Sequence, residues 1–141
     1  MRGLSVSIHQ SVSPGFTLQV DFEARADGVT ALFGPSGSGK TSVLDTIAGL
    51  RGDDGGAEIR FAGTSWNGPD GTLASWKRPL AYVFQDARLF PHLSVEQNLR
   101  YAEKRGASGG PELAELLASF NLTDLAKRMP DSLSAGQQQR V

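Results

Sequence analysis

No cysteine occurs anywhere in the 141-residue chain, so neither a disulfide framework nor a thiolate metal site can form from it. That absence suits a reducing cytosol. Charge of one sign is missing too, because 14 Lys and Arg against 15 Asp and Glu leave a net charge of -1, with no basic block of the kind that binds nucleic acid. Any anion held here is held locally, and no nucleic-acid partner is expected. The opening residues MRGLSVSIHQSVS lack the apolar centre of a secretory leader, and no apolar run reaches bilayer length. A membrane role would run through a partner. Repeats and low-complexity tracts are absent as well. What is present suffices for a core, since 39% hydrophobic residues over 141 positions make one domain's worth of chain.

Glycine and proline divide the chain into segments of recognisable period. LSVSI (4–8) and FTLQVDFEA (16–24) alternate apolar and polar residues, as strands with one exposed face do, and Pro14 and Gly15 connect them. This predicts an antiparallel hairpin. VTALF (29–33) and LAYVF (80–84) are nearly unbroken apolar runs, the pattern of core strands buried on both faces of a parallel sheet. AEIRFAG (57–63) adds a strand between them, and the loop from Gly63 to Pro79 holds two tryptophans of no assigned role. Beyond Gln85 the pattern turns helical. Ser94 and Gln97 match a capping box ahead of Val95, Leu99 and Ala102 at helical spacing. Pro111 suits a first helical position, with Leu113, Leu116, Leu117 and Phe120 forming one apolar stripe. A third short helix, TDLAKRM, should stop at Pro130. The expected organisation is a sheet-bearing part over 1–87, a helical part over 88–133 and the start of another helix over 134–141. The boundary falls in QDARLFPH (85–92).

The segment Gly34, Pro35, Ser36, Gly37, Ser38, Gly39, Lys40, Thr41 matches the P-loop pattern GxxxxGK followed by Ser or Thr. Glycines are needed there because polyphosphate oxygens must approach main-chain N–H groups closely, through φ values that other residues resist. Residues 34–39 would form the cradle, with Ser42 completing the binding set in the first turn of the helix that follows. The free N–H groups and dipole of that helix favour negative charge at its start. Lys40 supplies a point charge to the β- and γ-phosphates, and the Thr41 hydroxyl can ligate Mg²⁺. The bland alternative is a Gly-Ser turn before an amphipathic helix. An expected strand before the motif, and an expected buried face at Val43, Leu44 and Ile47, argue against it.

A P-loop alone does not separate kinases, GTPases and motors. Gln85 directly follows the run LAYVF, so it should emerge at the carboxyl end of a strand, as Gly34 does. Its amide can ligate a metal or orient a water, or it can be an ordinary residue at a strand end. In SLSAGQQQRV, Ser134 and Gln137 form another capping box. Either this is only a helix start, or Ser134 and the Gly136 N–H bind a phosphate from outside the chain.

Together the P-loop at 34–41, Gln85, and LSAGQ at 133–137 resemble the ATP-binding subunits of ABC transporters, whose signature is LSGGQ. Within that family, YVFQDARLFPHLSVEQNLRYA (82–102) looks most like the molybdate importer ATPases; sulfate, iron, polyamine and sugar importers are less close. The resemblance implies a P-loop NTPase of the ABC ATPase fold: an antiparallel β subdomain, parallel core strands and a helical subdomain. It implies a head-to-tail dimer in which Gly34 to Thr41 of one subunit and Ser134 to Gln137 of the other clamp ATP with Mg²⁺. Gln85 would sense the γ-phosphate and the metal, while Phe90, Pro91 and His92 would help contact a membrane permease. A plain loop histidine remains the alternative for His92. A separate substrate-binding protein and a peripheral location on the cytoplasmic face of the membrane complete the implied assembly.

Several positions depart from the pattern. Ala135 stands where the signature has its first glycine, and the adenine-stacking aromatic has Phe16 as its best candidate, with core packing as its alternative role. The family's Mg²⁺-binding Asp and catalytic Glu lie on a strand beyond Val141, so a fragment of a longer ATPase is the expectation, with Lys40 and Gln85 the catalytic candidates it retains. Asp53, Asp54 and Asp70 sit in turn-like stretches and are not expected to replace the base. Two further readings stay open: a nucleotide-binding module without turnover, and an unrelated P-loop kinase or GTPase, against which LSAGQ argues.

Overall fold

The computed structural model describes residues 3–52, 55–106 and 109–141. Asp53 and Asp54 therefore lie outside the described residues. The chain forms two compact units, residues 1–82 and 83–141.

The first unit is built on a five-stranded sheet of order β2-β1-β3-β4-β5 in which every pairing is antiparallel. Strand β1 (Leu4–Ser13) and β2 (Phe16–Ala24) form the expected hairpin, with Ile8 opposite Val20 and Val6 opposite Phe22. Strand β3 (Ala57–Phe61) pairs with β1 on its other edge, and β4 (Thr64–Gly68) and β5 (Gly71–Thr72) extend the sheet through the region of the two tryptophans. Trp66 goes into the core and Trp76 to the surface. The alternation of β1 explains the layer beneath: Val6 and Ile8 turn to one face, where Leu18, Ile59 and Trp66 bury against Val43 of helix α1 (Lys40–Ala48). Side chains one position away stay in solvent, the consequence of the two-residue period of a strand.

The two continuous apolar runs do not form strands. Residues 29–33 and 80–84 are irregular, with Val29 96%, Phe33 91% and Val83 82% exposed, so the expected parallel core strands are absent among the described residues. An apolar run specifies burial and not pairing. A parallel strand buried on both faces needs neighbours along its edges, and no described strand pairs with either run. A cavity of about 350 Å³ remains where Leu80 faces Leu44, Ile47 and Trp66, and Leu44 is half exposed rather than part of a fully buried face.

The second unit is helical and is closed by local chemistry. Helix α2 (Val95–Glu103) starts with the predicted capping box: Ser94 Oγ accepts from the Gln97 N–H and Gln97 Oε1 accepts from the Ser94 N–H. Its next two donors are satisfied from another segment, Val95 N–H by the Arg128 carbonyl and Glu96 N–H by that of Ala126. Helix α3 (Leu113–Ser119) begins two residues after Pro111, which therefore precedes the helix instead of opening it; Glu112 is the N-cap. At its other end Asn121 takes φ +53, Leu122 N–H bonds to Leu117 O at 2.7 Å and Asn121 N–H to Ala118 O at 3.1 Å. This is a Schellman closure, and it turns Leu122 into a core with Val95 and Leu133. Of the stripe, Leu113 is buried while Phe120 is half exposed. TDLAKRM shortens to a single 3-10 turn at Thr123–Leu125, and Pro130 opens the next one, Pro130–Ser132. Helix α4 (Ala135–Arg140) follows, with its own capping box between Ser134 and Gln137.

Candidate functional site

In the first unit, residues 34–38 form an exposed loop that turns into α1 through Gly39. Gly39 has φ +90, and a Cβ there would stand 2.9 Å from Leu18 Cδ1 and 3.2 Å from Phe16 Cζ, so both backbone and packing require glycine. No side chain caps the helix start, although its first N–H groups have no carbonyl within the helix to bond. The loop is folded instead around Lys40, whose Nζ donates to Gly34 O at 2.9 Å, Pro35 O at 2.7 Å and, at 3.5 Å, to Ser38 Oγ. The ammonium gathers the loop's carbonyls on one side. An anion arriving at the α1 start would meet main-chain N–H groups, the helix dipole and a positive charge, all without desolvating a side-chain cap. Polyphosphate with Mg²⁺ fits this donor set, the Thr41 hydroxyl being on the exposed first turn.

Phe16 places its ring edge next to Gly39 and is only partly buried. Two residues near α1 carry no recognisable motif. Asp45, in the middle of α1, accepts from the Tyr82 hydroxyl at 2.7 Å, and the buried Arg78 bonds the carbonyls of Thr46 and Ile47 at the end of α1. Neither spacing nor composition points to Arg78; only the acceptors assembled from separate segments do. Asp70 lies in the exposed turn between β4 and β5, as its surroundings predict.

The second unit holds the remaining candidates. Gln85 is exposed in a bend rather than at a strand end, because residues 80–84 are not a strand. The carbonyl just before it, Phe84 O, accepts from Gln139 Nε2 of α4 at 3.1 Å, so the start of the Gln85 loop and the helix of the LSAGQ segment are in direct contact. In that segment Ser134 Oγ and Gln137 are occupied by their mutual capping. A Cβ at Gly136 would meet nothing within 4 Å, so crowding within the chain gives no reason for glycine there. Ala135 is exposed at the first helical position, which an L residue tolerates. Phe90, Pro91 and His92 are exposed, and Phe90 meets His92 edge-on (5.9 Å between centroids) and Tyr101 at a tilt (4.5 Å). Buried Asn98 pins this loop, accepting from Phe90 N–H and donating to the carbonyls of Phe90, Leu93 and Ser94.

The profile of the ABC transporter family matches residues 18–141. The chain belongs to the ABC transporter family. Among curated relatives, the molybdenum import ATP-binding protein ModC of Saccharophagus degradans is 46% identical over 140 residues, 98% of this chain and 38% of its own. ModC of Pseudomonas aeruginosa is 43% identical over 145 residues, 100% of this chain and 40% of its own. This member of the ABC transporter family thus spans about two fifths of the length of those relatives. Among solved structures, an ATP-binding subunit of an ABC transporter matches with a TM-score of 0.67 at 26% identity, over 97% of this chain and 58% of that one. CbiO1 of Clostridium perfringens, part of the ABC transporter complex CbiONQ, matches with a TM-score of 0.70 at 22% identity, over 97% and 57%, a likeness of fold alone. No helix among the described residues is long and apolar enough to cross a membrane.

Proposed function

We propose that the chain is the ATP-binding part of the ATPase subunit of an importer for molybdate or a similar oxyanion. The observation that carries this reading is the start of α1, where an exposed glycine loop, an uncapped helix and Lys40 meet. The relatives are named for molybdenum import, and molybdate is the oxyanion that this reading takes from them. Gly34 to Ser42 would hold the phosphates, Lys40 supplying positive charge to the β- and γ-phosphates and Thr41 a hydroxyl to Mg²⁺, while Gln85 keeps the metal-sensing role that the family resemblance implies for it. ATP supplies the phosphoanhydride, and its Mg²⁺ neutralises the charge that develops on the transferred group. In this reading residues 1–87 are the nucleotide-binding core, 88–133 the helical subdomain and 134–141 the start of the signature helix.

Ser134, Gly136 and Gln137 serve the site of a second subunit in a head-to-tail dimer. The unobstructed Gly136 favours that reading over a purely local helix start, because glycine there leaves room for something outside the chain. Phe16 is assigned to the adenine ring, and the Phe90 and His92 surface to the permease on the cytoplasmic face of the membrane, with a separate binding protein delivering the oxyanion. The decisive experiment reconstitutes the full-length subunit with its permease in proteoliposomes and measures phosphate release as binding protein loaded with molybdate, sulfate or nothing is added. Stimulation by molybdate supports the assignment; stimulation by sulfate alone keeps an oxyanion importer but replaces molybdate as its substrate, stimulation by neither overturns the oxyanion, and nucleotide binding without any phosphate release overturns the ATPase.

A further inference from the structure

Arg78 is only 5% exposed, and a guanidinium withdrawn from water is costly unless acceptors surround it. They do. Nε donates to Leu73 O at 2.9 Å, Nη1 to Ile47 O at 2.6 Å and Thr46 O at 3.2 Å, and Nη2 to Asn67 Oδ1 at 2.8 Å and Trp66 O at 3.3 Å. The same group lies 5.7 Å from the Trp66 ring centroid. Thr46 and Ile47 are in the last turn of α1, where the helix dipole is negative and Thr46 O also accepts from the Gly49 N–H at 3.1 Å. Trp66 and Asn67 belong to β4, and Leu73 follows β5. One side chain therefore fastens the end of α1 to the antiparallel sheet.

The fastening has a built counterpart in the backbone. Gly49 closes α1 at φ +71, and a Cβ there would stand 2.7 Å from Arg78 Cζ. The rest of α1 is held by burial of Val43, Thr46 and Ala48 and by the Tyr82 hydroxyl on Asp45, while its start has no side-chain cap and Leu44 is half exposed. Nine residues make a rod about 13 Å long, short and stiff enough that fixing one end fixes where the other end points. We propose that Arg78 is a positioning residue for nucleotide, setting the axial position and rotation of α1 and through them the placement of Lys40 and Thr41. This rests on the P-loop reading above.

The test uses the full-length protein and a fluorescent N-methylanthraniloyl derivative of ATP with Mg²⁺, titrated at a temperature where circular dichroism shows each variant folded. Arg78→Met should weaken binding about tenfold, the usual scale for groups that orient a ligand-holding element. Arg78→Lys should fall in between, because a point charge cannot span both the helix end and β4. Millimolar methylguanidinium should restore affinity to Arg78→Ala and leave Lys40→Ala unchanged, which a general loss of stability would not reproduce. If the Met and Ala variants do not fold, Arg78→Lys and Gly49→Ala, which displaces the guanidinium, decide the matter by the same weakened binding. Folded Arg78 variants with wild-type affinity, beside a Lys40→Ala that does not bind, overturn the proposal. A Lys40→Ala that binds like the wild type overturns the P-loop reading itself, and this inference with it.

Discussion

Three helices of this chain begin next to a glycine or a serine, and they begin in opposite ways. Helix α1 starts on Gly39 at φ +90 with no side-chain cap, whereas α2 and α4 start on Ser94 and Ser134, each in a reciprocal capping box with Gln97 or Gln137. The boxes satisfy two orphan donors from within the chain. At α1 the donors are left to the backbone, and the stabilising contacts move elsewhere: Lys40 to the loop carbonyls, Arg78 to the far end of the helix. Helix α3 also starts without a side-chain cap, on Glu112, so an uncapped start alone does not mark an anion site; at α1 it is joined by a glycine loop and the Lys40 charge. Helix α4 combines the two kinds of start, because its box coexists with a Gly136 that nothing among the described residues crowds.

Lys40→Ala attacks that contrast most strongly. Losing a charged hydrogen-bonding group costs about 1.5–3 kcal/mol, so nucleotide affinity in the full-length protein should fall about 10- to 100-fold while circular dichroism stays unchanged. Equal affinity, measured by calorimetric titration, would remove the distinction between α1 and its neighbours. The glycines come next. Gly39→Ala forces a side chain into left-handed space and against Leu18 and Phe16, and should destabilise the protein by about 1–3 kcal/mol. Gly136→Ala should stay within about 0.5 kcal/mol or stabilise slightly, as alanine is the better helix former. Urea unfolding of the two variants side by side tests the pair; matching losses would mean that Gly136 is structural after all.

Much of this was legible in advance, and the reason is locality. The alternation of LSVSI and FTLQVDFEA needs only one exposed face to be read, and Ser94 with Gln97 or Ser134 with Gln137 needs only four consecutive residues. The left-handed Gly39 follows from GPSGSGKT for the same reason, whereas the bonds of Lys40 to the Gly34 and Pro35 carbonyls do not. Legibility failed where a segment depends on distant partners. VTALF and LAYVF announce burial, yet a parallel ladder requires edges that no described strand offers them, and Gln85 loses its strand end with them. Arg78 was invisible because the acceptors described around it come from α1, β4 and the residue run after β5. Asn121 closing α3 was equally hidden: asparagine in left-handed space is a property of the chain that follows it, here the buried Leu122.

The two capping boxes can themselves be set against each other. Ser94→Ala and Ser134→Ala should each cost about 1 kcal/mol, the usual value of such a cap, seen as faster hydrogen exchange in the first turn of the helix concerned. The α2 start also receives the Arg128 and Ala126 carbonyls, so its exchange should rise less than that of α4. Equal acceleration would show that the side-chain box, and not the neighbouring segment, governs both starts.

The smallest expected effect lies on the outer face of the sheet that supports α1, and it asks whether charge there reaches the helix start at all. Asp21 stands opposite Ser7 across the β1–β2 ladder and 3.1 Å from His9 Nε2. The Ser7 hydroxyl, bonding the carboxylate, holds the Asp21 carboxyl below the ordinary value of 3.8, against a desolvation that raises it and with a further lowering from His9. The folded value lies below the unfolded one, so the carboxylate's contribution to stability is complete above about pH 3.8 and disappears as pH falls through the depressed value. Ser7→Ala should return the carboxyl toward 3.8 and His9→Ala should do so less, both followed through the Asp21 carboxyl carbon by NMR. Across that titration the amide signals of β1 and β2 should move, while those of Gly39 to Ser42 should not, because salt and solvent screen an exposed pair. Amides at the α1 start that titrate with Asp21 would mean that the uncapped helix feels the sheet's outer charges, and that burial and Arg78 are not what hold it.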